Sequence, residues 1–146
     1  MSRIVALDVG DATIGVAATD ELRLAAHPVT VIRRGASVKA DLRAVESLLA
    51  ELDAAEVVVG IPLDADGGEG PQAAKVREFA QRLARRVRVP LTMWDERYST
   101  AEAEQLLLER DVSRAKRRSR IDATAAAVIL QEYLQSTRPG PETTGG

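Results

Sequence analysis

The sequence contains no cysteine and only one histidine, His27, among its 146 residues. Without cysteine there can be no disulfide framework and no cysteine-based zinc site, and one histidine cannot build a histidine-rich metal site. A bound metal ion would therefore have to be held by oxygen atoms. Oxygen ligands are the ones that Mg²⁺ and Mn²⁺ prefer.

Aromatic residues are also scarce, because the chain has only Phe79, Trp94, Tyr98 and Tyr133. Phe79 and Trp94 fall in apolar patterns typical of a core, so no series of aromatic side chains remains to stack on bases. If the protein binds nucleic acid, we expect it to recognise backbone and shape and not base sequence.

Long apolar runs are missing as well. The first nine residues, MSRIVALDV, form a short apolar run that Asp8 interrupts, which indicates a first strand and not a signal peptide or a membrane span. We therefore expect a cytoplasmic protein. The length predicts one domain over residues 1–135, and the polar tail 136–146, STRPGPETTGG, is expected to be disordered.

Alternation and helical spacing of apolar residues predict an α/β fold. Three strands, at 3–9, 14–19 and 29–33, are joined by connections so short that antiparallel pairing is favoured. Ser37 is the predicted N-cap of a helix, followed by a buried strand at 57–61, a helix through Phe79 and Leu83, and a strand at 89–94. Two capping-box patterns predict helices at 101–110 and 123–135. The implied sheet is five-stranded and mixed, three antiparallel strands and then two parallel ones, with flanking helices.

Three carboxylates occupy notable places in this pattern. Asp8 lies near the end of the first strand on the face of Ile4 and Ala6, and Glu96 follows the last strand directly. Asp122 begins a helix of small and apolar residues. Each has an ordinary explanation too: Asp8 can start a turn, Glu96 can be a solvated loop charge, and Asp122 can complete a capping box with Ser119.

Taken together, the three acids favour a metal site. In open α/β sheets, ligands bind beyond the carboxyl ends of strands, where Asp8 and Glu96 both fall, and a helix on the sheet could bring Asp122 alongside. Carboxylates without histidine or thiol suit Mg²⁺ or Mn²⁺, and two such ions can activate water for attack on a phosphodiester. The sequence therefore predicts Asp8, Glu96 and Asp122 as metal-binding and catalytic residues of a nuclease.

Four segments resemble the YqgF/RuvX family of ribonuclease H-like nucleases, known as Holliday-junction resolvases and as nucleases that mature precursor 16S rRNA. The segments are IVALDVGDATIGVA, VVVGIPLDADGGEG, WDERYSTAEAE and RIDATAAAVILQEYL. The resemblance spans about residues 3–135 and implies a ribonuclease H-like fold. It also implies metal-binding acids at Asp8, Glu96 and Asp122, with Asp95 as a helper beside them.

Basic residues are segregated along the chain. Residues 110–120 hold six basic residues and one acidic residue, a local charge of +5 in a chain of net charge −2. The family usually has Lys or Arg in the turn after the first strand, where this sequence has Ala12. We expect phosphate contacts instead from Arg97 and from the basic run that lies between the last two predicted helices. These residues are Arg114, Lys116, Arg117, Arg118 and Arg120.

Two other functions stay open on the sequence. A catalytically silent nucleic-acid-binding module could keep the same fold and basic run, and Asp8, Gly10 and Gly15 also resemble the phosphate loop of actin-like and sugar-kinase ATPases. Those ATPases need two such domains around the nucleotide. The sequence does not distinguish precursor rRNA from branched DNA, although symmetric resolution of a junction would require a homodimer.

Overall fold

Five strands form one mixed sheet: β1 (Arg3–Val9), β2 (Thr13–Thr19), β3 (Ala26–Arg33), β4 (Ala54–Ile61) and β5 (Leu91–Asp95). The computed structural model describes residues 3–35, 37–64, 66–95 and 114–137, without the side chains of 114–122 and 137. The strand order is β3-β2-β1-β4-β5. The first three strands pair antiparallel, and β4 and β5 extend the sheet in parallel. The predicted sheet is confirmed.

Three described helices cover the sheet: α1 (Val38–Glu51), α2 (Pro71–Ala84) and α3 (Arg114–Thr137). Ser37 caps α1 as predicted, because its hydroxyl oxygen accepts a hydrogen bond of 3.1 Å from the Ala40 N–H. Helix α2 begins with Pro71, a residue suited to the first helical position because that position needs no hydrogen-bond donor. None of the described helices combines the length and the apolar character needed to cross a membrane.

The strands bury alternate side chains on the two faces of the sheet. Val5, Leu7 and Val9 of β1 belong to the core on one face, where the buried residues of α1 and α2 pack. Ile4 and Ala6 belong to the core on the other face, where Ile129 and Leu130 of α3 pack. The sheet is thus the middle of three layers, and Asp8 follows Ile4 and Ala6 on the α3 face.

Several strand boundaries differ from the predicted ones. β2 begins at Thr13, one residue earlier than predicted, and β4 begins at Ala54, three residues earlier. β3 begins at Ala26, three residues earlier than expected, and includes Pro28. Proline is tolerated there because β3 is an edge strand, and the β2–β3 register shifts between Val16 and Ala17. β5 begins at Leu91, two residues later than predicted, and extends to Asp95.

The start of α3 corrects two predictions. Residues 114–120 are helical, so the basic run is part of α3 and does not connect two helices. Ser119 and Asp122 lie inside α3, and the predicted capping box that would open a helix there is wrong. The physical reason is that arginine, lysine and alanine are strong helix formers, so helix is favoured N-terminal to Ser119.

The remaining predicted elements are only partly described. The helix predicted at 101–110 lies outside the described residues. Helix α3 runs to Thr137, two residues into the segment assigned to the tail, and residues 138–146 are also outside the description.

Candidate functional site

Of the residues predicted to bind metal or phosphate, only Asp8 has a side chain that the structure describes; the predicted helper Asp95 is described as well. It lies on β1 one residue before the strand ends and is only partly buried, unlike its buried neighbours Leu7 and Val9. Its side chain lies on the α3 face, as the sequence predicted from the alternation of Ile4, Ala6 and Asp8. A carboxylate in such a place must be solvated or paired.

Glycine stands beside Asp8 on both neighbouring strands. Asp8 pairs with Gly15 of β2. On the other side, Leu7 pairs with Val59 of β4, so Gly60 is the next residue along and lies beside Asp8. At this level of the sheet, therefore, neither β2 nor β4 contributes a side chain next to the carboxylate. That leaves lateral space beside the Asp8 carboxylate.

Trp94 continues the same row, because it pairs with Gly60 across β4 and β5. Its ring meets Tyr133 of α3 edge-on, with ring centroids 5.6 Å apart and planes at 89°. The indole N–H is buried and has no acceptor among the described residues. Trp94 packs against the α3-side core, as expected from the sequence.

Helix α3 lies on this face and packs across β1, β2 and β3. Small residues allow its backbone to come close to the sheet: Ala123 and Ala126 are buried, Ala126 completely. The basic residues 114–120 precede this packed segment on the same helix. Asp122 is the residue before Ala123, the first residue of α3 whose burial is described, and the side chain of Asp122 lies outside the described residues.

The C-terminal half of α3 is anchored by polar contacts. The Tyr133 hydroxyl donates to the Glu56 carboxylate of β4, and the Gln131 side-chain oxygen accepts a hydrogen bond of 3.2 Å from the Ala26 N–H of β3. Burial, followed by the bond to Glu56, raises the pKa of Tyr133 above its ordinary value of 10.0. These contacts fix α3 against strands on both sides of β1.

The last strand ends at Asp95, which pairs with Ile61. Alternation along β5 puts Asp95 on the face of Met93, which packs against the α1 and α2 core, opposite to the face of Trp94 and Asp8. Glu96 and Arg97 lie outside the described residues. Among the side chains that are described, no three acids or histidines gather as metal ligands.

The turn after Asp8 is held by contacts that the sequence did not predict. The Gly10 N–H donates to the Thr13 carbonyl at 2.8 Å. The Arg34 side chain then donates from Nη1 to the Gly10 carbonyl at 2.8 Å and from Nε to the Asp41 carboxylate at 2.9 Å. Asp41 lies in the first turn of α1, where an acidic residue is favourable because of the helix dipole. No sequence signal therefore indicated that Asp41 also pairs with Arg34.

Asp41 is buried, with 4% of its surface exposed. Burial disfavours its charged form, but the Gly35 N–H and the Arg34 guanidinium outweigh that effect and hold the pKa of Asp41 below its ordinary value of 3.8. Arg34 also lies over the Phe79 ring of α2, 5.2 Å from its centroid. Asp41 is therefore a paired anion at neutral pH.

The glycine-rich loop after β4 forms a closed turn. The Asp64 N–H donates to the Gly68 carbonyl and the Gly67 N–H donates to the Asp64 carbonyl, both at 2.8 Å. Gly67 has φ of 89°, a left-handed conformation that favours glycine. The Arg77 guanidinium of α2 binds the Glu69 carboxylate, so the loop is also attached to the helix.

The chain is similar to the members of one protein family over nearly its whole length. A family model described as "RuvX: Holliday junction resolvase" matches residues 2–136. A relative from Myxococcus xanthus is 49% identical over 141 residues, covering 97% of this chain and 92% of the relative. One from Caldanaerobacter subterraneus is 44% identical over 137 residues, covering 93% of this chain and 98% of the relative. Both carry the name "Putative pre-16S rRNA nuclease".

Solved structures with similar folds include Thermus thermophilus RuvC. RuvC in complex with a Holliday junction substrate superposes with a TM-score of 0.58 at 15% identity, covering 94% of this chain and 97% of RuvC. A second RuvC structure gives a TM-score of 0.55 at 13% identity, covering 92% and 95%. At such identities the likeness concerns the fold, and it confirms the expected ribonuclease H-like architecture.

Proposed function

The chain belongs to the RuvX family of Holliday junction resolvases and is a nuclease, and we propose that it hydrolyses phosphodiester bonds with divalent metal ions bound by Asp8, Glu96 and Asp122. The observation that carries this proposal is the environment of Asp8. Its carboxylate is partly buried at the end of β1, has glycine beside it on both neighbouring strands and lies on the face that α3 covers. A cation would stabilise the ionised form of a carboxylate in such a place.

The chemistry of the proposed ligands fits Mg²⁺ or Mn²⁺. All three are carboxylates, and hard divalent cations bind carboxylate and water oxygens in preference to nitrogen or sulfur. When bound, such ions would supply an activated water and stabilise the charge on the leaving oxygen. The protein's own contribution would be positional: β1 would orient Asp8, and α3, whose residues from Ala126 onward pack on the same face of the sheet, would carry Asp122.

We propose that the substrate is structured nucleic acid held through its phosphates. Arg97 would contact a phosphate beside Glu96, and the basic residues of α3 would bind the backbone nearby: Arg114, Lys116, Arg117, Arg118 and Arg120. The relatives' name favours precursor 16S rRNA as substrate, and the family description favours branched DNA. Cleavage of rRNA precursors would take place in the cytoplasm. Symmetric junction resolution would require a homodimer with two active sites.

The direct test is cleavage of end-labelled precursor 16S rRNA fragment, four-way-junction DNA and single-stranded RNA, with Mg²⁺, Mn²⁺ or EDTA. We expect metal-dependent cutting by the wild type and its loss in Asp8→Asn, Glu96→Gln and Asp122→Asn, with the fold retained. Glu51→Gln is the matched control, since Glu51 is an exposed acid at the end of α1. Unchanged cutting in any of the three variants would remove that residue from the site.

The same experiment separates the competing functions. A silent nucleic-acid-binding module would bind all three substrates equally with and without metal and cut none of them. A nucleotide-binding half-domain would instead show a higher melting temperature with ATP and no nuclease activity.

A further inference from the structure

The Arg34 side chain connects the turn that follows Asp8 to α1 and α2, the two helices on the opposite face of the sheet. Arg34 follows β3 and donates from Nη1 to the Gly10 carbonyl at 2.8 Å. Its backbone N–H donates to the Ala12 carbonyl at 2.9 Å. Two of the three residues of the β1–β2 turn, residues 10–12, therefore accept hydrogen bonds from the same residue.

The other side of the guanidinium is fixed just as firmly. Nε donates to one oxygen of Asp41 at 2.9 Å, and the other oxygen accepts from the Gly35 N–H at 2.8 Å. The Asp41 side chain is 5% exposed and that of Arg34 is 18% exposed, so solvent screens their attraction only weakly. Phe79 of α2 lies under the guanidinium plane. The Arg34 guanidinium is thus fixed by α1 and α2 on one side and binds the turn on the other.

Arginine suits this arrangement because its planar group donates in two fixed directions at once. One direction is taken by Asp41 and the other by the Gly10 carbonyl. Gly10 comes two residues after Asp8. The residue between them, Val9, pairs with Ile14, so the backbone from Asp8 to Gly10 has little freedom to move. A shift of the turn would therefore move the end of β1 that carries Asp8.

We propose that Arg34 is a positioning residue for the nuclease: held by Asp41, it fixes the β1–β2 turn and thereby the Asp8 carboxylate. The inference rests on the proposed function of Asp8. A displacement of about 1 Å at a reacting centre can lower the rate about 100-fold, so a tether of this kind affects turnover without contacting substrate.

The test uses the full chain and two changes at the tether. Arg34→Lys keeps the charge opposite Asp41 but loses the planar two-direction donor. The double variant Arg34→Gln with Asp41→Asn removes both charges together, which avoids a buried charge without a partner. The matched control is Arg86→Gln, because Arg86 also forms an ion pair with α1, to Glu46 at 2.6 Å, but among the described residues it makes no hydrogen bond or ion pair with the turn.

Three readouts are measured: kcat and KM with saturating metal, the Mn²⁺ concentration for half-maximal cutting, and amide hydrogen exchange in residues 8–14. For both tether variants we expect kcat to fall about tenfold, with KM for the nucleic acid within about twofold of wild type. The required Mn²⁺ concentration should rise, and exchange in residues 8–14 should become faster while exchange in α1 and α2 stays unchanged. Arg86→Gln should match the wild type.

Three results would overturn the proposal: a fall in kcat without faster exchange in residues 8–14, faster exchange there with unchanged kcat, or an equal loss in Arg86→Gln. Asp8→Asn is measured in parallel to separate this proposal from the proposed function. If Asp8→Asn cuts as well as wild type, the proposed function fails at Asp8. The exchange data then still decide whether Arg34 holds the turn.

Discussion

Asp8 of β1 lies directly opposite Gly15 of β2 in the antiparallel register. Directly opposed residues in such a pair have their Cβ positions about 4.5–5.5 Å apart, so any side chain at position 15 would stand against the Asp8 carboxylate. Gly60 of β4 leaves the other side of Asp8 equally clear. The two glycines therefore leave space on both sides of the Asp8 carboxylate, where the proposed metal ions and substrate would lie.

Enlarging position 15 should lower nuclease activity in proportion to the size of the side chain. We expect Gly15→Ala to reduce metal-dependent cutting and Gly15→Val to reduce it further. The fold should persist, because alanine and valine are both better strand residues than glycine. Cleavage rates and thermal unfolding are measured on both. If Gly15→Ala and Gly15→Val both unfold and cut like the wild type, the space beside Asp8 is not needed for cleavage.

The basic segment of α3 should govern the salt dependence of binding. Each phosphate contact releases about one counterion, so Arg117→Ala with Arg118→Ala should weaken binding to every substrate and reduce the slope of log K against log salt by about 1–2. Filter binding from low to high salt measures both quantities. Arg85→Ala with Arg86→Ala, a second adjacent pair of arginines just after α2, serves as control. An unchanged slope in the α3 variant would mean that these residues are only solvated.

Much of the fold could be predicted because the sheet buries its strands in a regular pattern. The apolar run at 57–61 predicted a strand buried on both faces, and β4 has buried residues on both faces there. The alternation of Ile4, Ala6 and Asp8 predicted that the acid shares a face with these two residues, and that face is the one that α3 covers. Local patterns sufficed here because burial acts residue by residue along a strand.

The missed features depend on contacts between distant residues or on competing local signals. No sequence pattern singled out Arg34 or Asp41, and only the folded chain shows that they join a turn to two helices. The start of α3 was misplaced because Ser119 and Asp122 have capping-box spacing, while the helix-forming residues before them continue the helix. A cap signal inside a run of strong helix formers does not start a helix.

The bond between Tyr133 and Glu56 should stabilise the docking of α3 on the sheet. Tyr133→Phe removes a hydroxyl donor and leaves the partly buried carboxylate without it, which we expect to lower the free energy of unfolding by about 1–2 kcal/mol. Urea denaturation measures the difference. Ser136→Ala is the control, since it removes an exposed hydroxyl one turn further along the same helix. Equal stability of Tyr133→Phe and wild type would mean that this hydrogen bond does not contribute to the docking of α3.

The ion pair between Arg34 and Asp41 predicts how stability depends on acid. Because the folded pKa of Asp41 lies below its ordinary value of 3.8, the folded state binds this proton less readily than the unfolded chain does. The stabilisation is therefore complete above the ordinary value and is lost as pH falls through the depressed folded pKa. Asp41→Asn should lower the free energy of unfolding near neutral pH by about 1–3 kcal/mol.

Below the ordinary pKa of Asp41, the difference between wild type and Asp41→Asn should shrink as pH falls. Urea midpoints measured from neutral pH to below the ordinary pKa test this, with Glu51→Gln as a control that should follow the wild-type curve. A constant difference at every pH would mean that Asp41 stabilises the fold by its shape and hydrogen bonds and not by its charge. In that case the tether from α1 to the β1–β2 turn would hold equally well with a neutral side chain at position 41.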